Sequence, residues 1–515
     1  MYVSNLALDD FRSYRRLVLE LPAGVVAFIG RNGQGKTNVV ESLVYLSTFA
    51  SHRVAADAAL VRRALAGGQQ PGGAVVRVKV WRGERSEVLE LEIVAGRAHR
   101  ARLNRGACRP RELLGHLRTV LFAPEDLALV KADPAGRRDF MDSLLIQHTP
   151  RLAGVKSDLE RVLRQRGALL KQLAASRGGY AGAEESLLAV WDEQLVELGT
   201  QLLAARLELV EQLAPLAARY YRQVAGSEDD LQLEVVVSAR EHAQRAGYQP
   251  GPLTAGRPRG EESGTLSPDS RLDDAQLGDA QWDDVAPTGG PLARPGSGVD
   301  SASARLPESG VEHRADFAAG QADPAALSVT SPDPDAPTPG VDPAAAPGGG
   351  ALEGAGGNVG PQGGRAERIA QLQELLWAAI AARRADEVRR GVNLVGPQRD
   401  DLAIVLNGLP AKGYASHGES WSCALALKLA AFELLRGLDG DPVLILDDVF
   451  AELDSRRRAA LVEAIRGVEQ VFITAAVASD VPEELDAARF AVEAAQVTSL
   501  DGRGRVVEAP GAGDE

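Results

Sequence analysis

The chain opens with an alternating stretch, Tyr2, Ser4, Leu6 and Leu8, which predicts a strand ending in a turn at Phe11-Arg12-Ser13-Tyr14. Leu17 to Leu21 alternates again, and Val25 to Ile29 is a continuous apolar run, as expected of a strand buried on both faces. That run leads straight into a glycine-rich loop. Thr37 to Thr48 then predicts a helix, with Val40, Leu43, Val44 and Leu46 on its apolar stripe. Ala74 to Leu103 reads as antiparallel strands with turns near Arg82-Gly83 and Ala95-Gly96.

From Pro150 to about Tyr221 the period lengthens. Leu152, Val155, Leu159, Leu163, Leu169 and Leu170, then Leu195, Leu198, Leu202, Leu203, Leu207 and Val210, follow helical spacing. Ile369 to Ala382 resumes it, so the two stretches predict a helical hairpin or short coiled arm. Between them, Gln249 to Gly364 is dense in Pro, Gly, Ala, Ser and Asp, and cannot bury enough apolar surface to offset the entropy of ordering. From Gly396 the chain returns to strand and loop, with buried strands at Pro442 to Leu446 and Gln470 to Ile473. The expected organisation is residues 1–149, first half of a head; 150–248, arm; 249–365, disordered acidic insertion; 366–392, arm again; and 393–515, second half of the head and a tail.

Composition narrows the class. The 515 residues suffice for two or three domains, and 45% hydrophobic with 25% charged residues is ordinary for a globular protein. No apolar run is long enough to span a bilayer, and Asp9, Asp10 and Arg12 stand where a signal peptide needs an apolar stretch, so a cytoplasmic protein with no membrane partner is expected. Cys108 and Cys423 are the only cysteines, so neither a disulfide framework nor a zinc site is implied. A net charge of −14 argues at first sight against nucleic acid. Residues 241–365 carry 18 acidic and 8 basic side chains, however, so the remainder is only mildly acidic. The cations are nearly all Arg, with 7 Lys, which coding bias explains without reference to DNA. The 5 Trp suit core or arm packing better than base stacking.

Three motifs carry the chemistry. Gly30-Arg31-Asn32-Gly33-Gln34-Gly35-Lys36-Thr37 fits the P-loop pattern in full, with Asn38 following. Its glycines let backbone N–H groups close around phosphates, Lys36 reaches the β- and γ-phosphates of ATP, and the Thr37 hydroxyl ligates Mg²⁺. The strand before and the helix after are the context such a loop needs, and Lys36 is expected to lie exposed on the loop. Val443-Leu444-Ile445-Leu446-Asp447-Asp448 ends a buried strand in two carboxylates. After a P-loop, Asp447 is the metal-side acid, acting through water, and Asp448 the group that orients or deprotonates the attacking water. By itself such a pair is usually just the start of a loop. Ser416-His417-Gly418-Glu419 precedes a strong helix, Trp421 to Leu435. Alone it is an ordinary helix N-cap. About 30 residues before the Asp pair it reads as the signature loop that ABC-type ATPase heads offer to the γ-phosphate of a partner subunit. Ser416, Gly418 and Glu419 are its contact residues, and Asp454 lies in the following dimer-contacting D-loop. The fold class expected is therefore α/β, an ABC-type P-loop head with an antiparallel β subdomain and a short helical arm.

Several stretches resemble the RecF family of bacterial recombination mediators: Asp10-Phe11-Arg12-Ser13-Tyr14, the P-loop, Ser51-His52-Arg53, Phe122 to Leu127, Arg137 to Asp142, Ser416 to Trp421, and Asp447 to Asp454. They span roughly two thirds of the chain. The resemblance implies an ATP- and Mg²⁺-dependent homodimer with two nucleotides sandwiched between heads. It also implies binding to single-strand/double-strand junctions or gapped DNA, slow DNA-dependent hydrolysis that releases it, the partners RecR and RecO, recombinase loading and a link to the SOS response. Arg12 is an additional candidate nucleotide contact. Arg137 and Arg138 are as well explained by structure as by DNA. The chain departs from the family's pattern at Gln398 in Gly396-Pro397-Gln398-Arg399-Asp400-Asp401, where a histidine is usual. No switch histidine follows Val471-Phe472-Ile473, so Thr474 would stand in, and no glutamine lies near Glu125. A transporter nucleotide-binding subunit shares the motifs but rarely carries an arm and insertion. A long-arm chromosome-organising ATPase would need a hinge domain and heptads over hundreds of residues.

Overall fold

The computed structural model describes residues 1–63, 70–94, 96–175, 183–249 and 361–507. Its strands are β1 (Tyr2–Phe11), β2 (Tyr14–Glu20), β3 (Gly24–Ile29), β4 (Gly73–Arg82), β5 (Arg85–Val94), β6 (Arg100–Leu103), β7 (Gly106–Cys108), β8 (Thr119–Phe122), β9 (Leu231–Val236), β10 (Asp401–Leu406), β11 (Leu409–Pro410), β12 (Val443–Asp447), β13 (Gln470–Ala475), β14 (Ala488–Glu493), β15 (Gln496–Ser499) and β16 (Arg505–Val506). Its helices are α1 (Lys36–Thr48), α2 (Leu127–Lys131), α3 (Pro134–His148), α4 (Leu152–Ala175), α5 (Ala183–Ala225), α6 (Ser238–Arg245), α7 (Pro361–Arg390), α8 (Ala411–Tyr414), α9 (His417–Asp439) and α10 (Ser455–Ala464).

The centre of the head is a six-stranded sheet in the order β15-β14-β3-β13-β12-β8. Every pairing in it is parallel except β14–β15. Parallel strands are covered on both faces, and the alternation within β12 shows how. Val443 and Ile445 face one core, shared with β1, β2, α1, β4 and β5. Leu444 and Leu446 face the other, shared with α3, α5, α7 and α9. The expected α/β head is thus observed. The second sheet, β16-β2-β1-β4-β5-β6-β7, is antiparallel throughout. The β4–β5 hairpin turns at Gly83, whose φ of 57° suits glycine. Gln470 bolts the two sheets together: its amide takes and gives hydrogen bonds at Val3 N and Val3 O, 2.8 and 2.9 Å long.

The arm is α4, α5 and α7. Leu159 and Val162 of α4 bury in one core with Leu195 and Leu202 of α5 and Leu372, Leu375 and Ala379 of α7. At its middle Arg166 is fully buried with Asp192 and Glu387. Its Nε donates to Asp192 Oδ1 at 2.8 Å, its Nη groups to both Glu387 oxygens, and Nη1 also to Asn393. One guanidinium therefore ties all three helices. Taking these charges out of water is costly, and only the complete set of hydrogen bonds makes it tolerable.

Two features differ from the sequence expectation. The segment taken as the first arm part includes β9, which pairs antiparallel with β10 in a small sheet ordered β11-β10-β9. The alternation in Leu231-Gln232-Leu233-Glu234-Val235 signals that strand, but it follows a long helical pattern. The second arm helix starts at Pro361 rather than 366. Of the acidic stretch 249–365, residues 250–360 lie outside the described residues.

Where arm meets head, a second buried charge cluster forms. Arg206 of α5 holds Asp142 of α3 through both carboxylate oxygens, 2.9 and 3.0 Å away, and donates to Pro397 O. Arg137 grips Asp401 bidentately, and Arg138 donates to Asp400 O. Both arginines are thus accounted for by structure. Arg399 donates to Asn393 O, and Gln398, in the position of the usual histidine, caps Val395 O at 2.8 Å. Burial pushes the Asp400 carboxyl up to about 6, against the pull of Arg206 and Ser238.

Two predictions follow from these clusters. Arg166→Met leaves Glu387 buried without its cation and Asp192 with Arg384 alone, and should cost about 3–5 kcal/mol, read as a lower urea midpoint; an unchanged midpoint would mean water reaches the site. Asp400 binds its proton more tightly folded than unfolded, so its contribution to stability falls as pH rises from near 4 to about 6 and is flat above. Stability of wild type relative to Asp400→Asn should fall across that window, and parallel pH profiles would refute the buried titration.

Candidate functional site

The carboxyl ends of β3, β13, β12 and β8 lie side by side along one end of the sheet. In parallel sheets that end, beyond the carboxyl ends of the strands, is where ligands bind. The P-loop leaves β3 there, Thr474 lies near the end of β13, Asp447 ends β12, and Glu125 follows β8. Register places Asp447 beside Thr474 and Thr474 beside Phe28.

The loop is held from two sides. Gly30 has no room for a side chain, since a Cβ would stand 2.1 Å from Val492 O of β14. Gln34 accepts from Ala494 N through its side chain at 2.6 Å and from Ala495 N through its backbone at 3.0 Å, fixing the loop to the β14–β15 turn. From the other side, Tyr14 OH donates to Gly35 O at 3.2 Å, and Asn38 donates to Ser13 Oγ at 2.9 Å. Gly33 and Gly35 have φ of 81° and 114°, which any side chain would strain. No side chain caps α1, whose N-terminus thus keeps its positive end directed at the loop. Arg31 and Asn32 are exposed at the loop tip.

Lys36 departs from the expectation of an exposed position: its side chain is 3% exposed. The loop wraps over it, because its ammonium finds Arg31 O at 3.5 Å and Asn32 Oδ1 at 3.4 Å, with Asp448 Oδ1 4.0 Å away. These long, weak contacts are ones a phosphate can replace. Thr37 Oγ1 donates to Asp447 Oδ1 at 3.0 Å, and Thr474 Oγ1 donates to the same oxygen at 2.5 Å. Asp448 N donates to Thr474 Oγ1 at 3.0 Å, and Asp448 has φ 52°, which turns the chain sharply after the strand. Burial raises the Asp447 carboxyl above the ordinary range; the Thr474 and Thr37 hydrogen bonds pull it back, while Asp448 and Glu125 push it up.

That donor set fits Mg²⁺. A hydroxyl and a buried carboxylate are hard oxygen ligands already in contact, and Mg²⁺ typically takes one or two protein groups plus phosphates and waters. Among the described residues there is no cluster of three or more His, Cys, Asp or Glu able to hold a metal, so none competes with it.

Arg12 is placed differently from a free ligand contact. Its Nε and Nη2 bind the fully buried Glu41 at 2.8 and 2.5 Å, and its Nη1 donates to Ala59 O at 3.0 Å. It secures the turn beside the P-loop. Glu125, by contrast, was legible only as part of a motif; it stands close enough to act electrostatically on both Asp447 and His52. Asp126 is tied to Lys428 at 2.7 Å and caps Ala123 N. A cavity of about 620 Å³ bounded by α1, α3 and α9 and lined by His52, Glu125 and Lys428 contains no P-loop residue. The nucleotide position follows from the loop's chemistry, not from that hollow.

Ser416 caps α9 in a reciprocal box. Glu419 N donates to Ser416 Oγ at 3.2 Å, and Ser416 N to Glu419 Oε2 at 2.7 Å. Among the described residues, the hydrogen bonds of Ser416, His417 and Glu419 run within this turn and to Lys131, not to the P-loop. Gly418 lies against Arg457, and Asp454 caps α10 by accepting from Arg457 N at 2.9 Å.

Gly30→Ala tests the loop's close approach: the methyl must displace either the P-loop or β14, so nucleotide affinity should fall at least tenfold, about 1.4 kcal/mol. Equal affinity in a fluorescent-nucleotide titration would show that the loop has slack.

Comparison with known proteins shows the family. The family model for the RecF/RecN/SMC N terminal domain matches residues 2–497. The DNA replication and repair protein RecF of Frankia alni is 42% identical over 498 residues, 96% of this chain and 99% of that protein. RecF of Beutenbergia cavernae is 42% identical over 506 residues, 96% of this chain and 99% of its own length. Among solved structures, the recombination mediator RecF-ATPrS of the RecFOR pathway superposes with a TM-score of 0.66 at 21% identity, covering 97% of this chain and 98% of that one. The RecF-ATP structure gives 0.63, also at 21% identity. At that identity the solved structures establish the fold, and the full-length relatives establish the rest: the chain belongs to the RecF family of DNA replication and repair proteins.

Proposed function

We propose that the chain is an ATP-gated DNA clamp of recombinational repair. It binds Mg²⁺-ATP at the P-loop, dimerises on single-strand/double-strand junctions or gaps, and hydrolyses ATP slowly to let go. The observation that carries this reading is the contact of Thr37, Asp447 and Thr474 at the end of the sheet, with the Ser416 turn pointing its bonds elsewhere. One surface holds a nucleotide, and a separate one is left to meet the nucleotide of a second copy.

On binding ATP, the loop N–H groups and the α1 N-terminus surround the phosphates. Lys36 exchanges Arg31 O and Asn32 Oδ1 for phosphate oxygens. Thr37 and Asp447 are the groups that would hold Mg²⁺, which would supply charge neutralisation for the phosphates. Asp448, beyond the strand on a sharp turn, orients and deprotonates the attacking water. Thr474 bridges Asp447 and the Asp448 backbone, so it takes the place of a switch histidine by relaying the position of one acid to the other. Ser416, Gly418 and Glu419 bring hydroxyl, N–H and helix dipole to the γ-phosphate of the partner, with Asp454 beside them. RecR and RecO are the expected protein partners, given that the solved RecF structures are described as belonging to the RecFOR pathway. Recombinase loading, a link to SOS induction and a cytoplasmic location belong to the same reading. No helix among the described residues is long and apolar enough to cross a membrane.

The clamp reading is tested at Ser416. Ser416→Asp keeps a good N-cap, so the fold should be unaffected, but it sets a carboxylate against the partner's phosphate. ATP-driven dimerisation seen by light scattering should disappear while each chain still binds ATP; dimers forming as in wild type would overturn the trans assignment. Asp448→Asn keeps the shape and removes the base, so turnover should fall about 100-fold with ATP affinity retained. Unaltered phosphate release would move the role to another acid, with Glu125 next in place.

A further inference from the structure

The turn that carries Asp454 and the helix that carries Ser416 are cross-linked by a single side chain. Arg457 lies in the first turn of α10. Its backbone N–H donates to Asp454 Oδ1 at 2.9 Å, and its Nη1 pairs with Asp454 Oδ2. Its Nε crosses to α9 and donates to the buried Ser422 Oγ at 3.0 Å. Its Nη2 lies over Gly418, so that a Cβ at position 418 would stand 2.8 Å from it. A planar guanidinium used at Nε and Nη1 has little freedom left, which distinguishes it from a flexible ammonium. The backbone and side chain of Arg457 hold the Asp454 carboxyl below the ordinary range.

We infer that Arg457 is a positioning residue that locks the Asp454 turn to the Ser416–Gly418 turn, so that both meet the nucleotide of a second copy as one rigid surface. This rests on the two-nucleotide sandwich proposed above and adds a residue to it. Among the described residues no hydrogen bond or ion pair joins Arg457 to its own chain's P-loop; its bonds go to Asp454 and Ser422. A side chain at Gly418 would have to shift the Nη2 end of Arg457, which lies 2.8 Å from where its Cβ would stand.

The test is subunit complementation in DNA-stimulated ATP hydrolysis. Arg457→Ala should bind ATP as wild type does but turn over at least about tenfold more slowly, the loss of charge-assisted hydrogen bonds that orient the trans surface. Lys36→Ala should be inactive because its own site cannot hold ATP. Mixed with Arg457→Ala, it should restore turnover, since one site of each mixed dimer then joins an intact P-loop to an intact trans surface. Ser422→Ala, which removes one end of the cross-link with little change in buried volume, should show a smaller defect that Lys36→Ala also rescues. Wild-type turnover in Arg457→Ala, or a defect that mixing does not rescue, would overturn the assignment, the latter showing a role in cis or in folding. Ser416→Asp mixed with Lys36→Ala is the control for the sandwich. Rescue there without rescue of Arg457→Ala refutes Arg457 alone, and failure of the control refutes the sandwich and this inference with it.

Discussion

The hydrogen bond from Thr37 to Asp447 joins groups 410 positions apart, and the rest of the molecule is arranged around making it possible. It depends on β13, which pairs with β3 on one side and β12 on the other. Without that parallel strand the P-loop and the acidic pair would belong to different edges. Parallel pairing cannot be made by a tight turn, so the connection must be long. Here the connection is most of the chain, and the arm is built within it. Gln470, at the start of β13, also anchors the antiparallel sheet through Val3, so the same strand that completes the site fixes the two sheets to each other.

The arm and its junction with the head rely on a different physics. Arg166 with Asp192 and Glu387, and Arg206 with Asp142 and Asp400, are buried charges whose desolvation costs more than a hydrophobic contact would. What they supply is geometry. An apolar seam between long helices tolerates a slip of one turn, whereas a bidentate guanidinium does not. The loop from Gly396 to Asp401 is held the same way: Arg137 takes the Asp401 carboxylate, Arg206 faces the Asp400 carboxylate and Arg138 donates to the Asp400 carbonyl, all three from α3 and α5.

Within the site, strength and availability are balanced. Asp447 is held by two threonine hydroxyls and kept in place before any cation arrives. Lys36 is held only by long contacts, so it is ready to exchange. Arg12, which the sequence offered as a ligand contact, is paired with Glu41; a buried carboxylate needs a partner, and this guanidinium supplies one.

The sequence by itself determined the local chemistry: a buried strand running into Gly30 to Thr37, a strand ending in Asp447-Asp448, a helix start at Ser416, and an arm of helical period. Each is a short-range pattern, set by backbone freedom, strand burial or helix capping, and so readable from neighbours in the chain. Only the tertiary structure decided what lies across from what. It paired β9 with β10, wrapped the loop over Lys36, gave Arg12 to Glu41, put Glu125 within reach of Asp447 and set Arg457 between Ser422 and Asp454. Those outcomes turn on burial and on contacts between residues far apart in sequence, where the energy of a charge depends on which partner the fold brings to it rather than on the residues beside it.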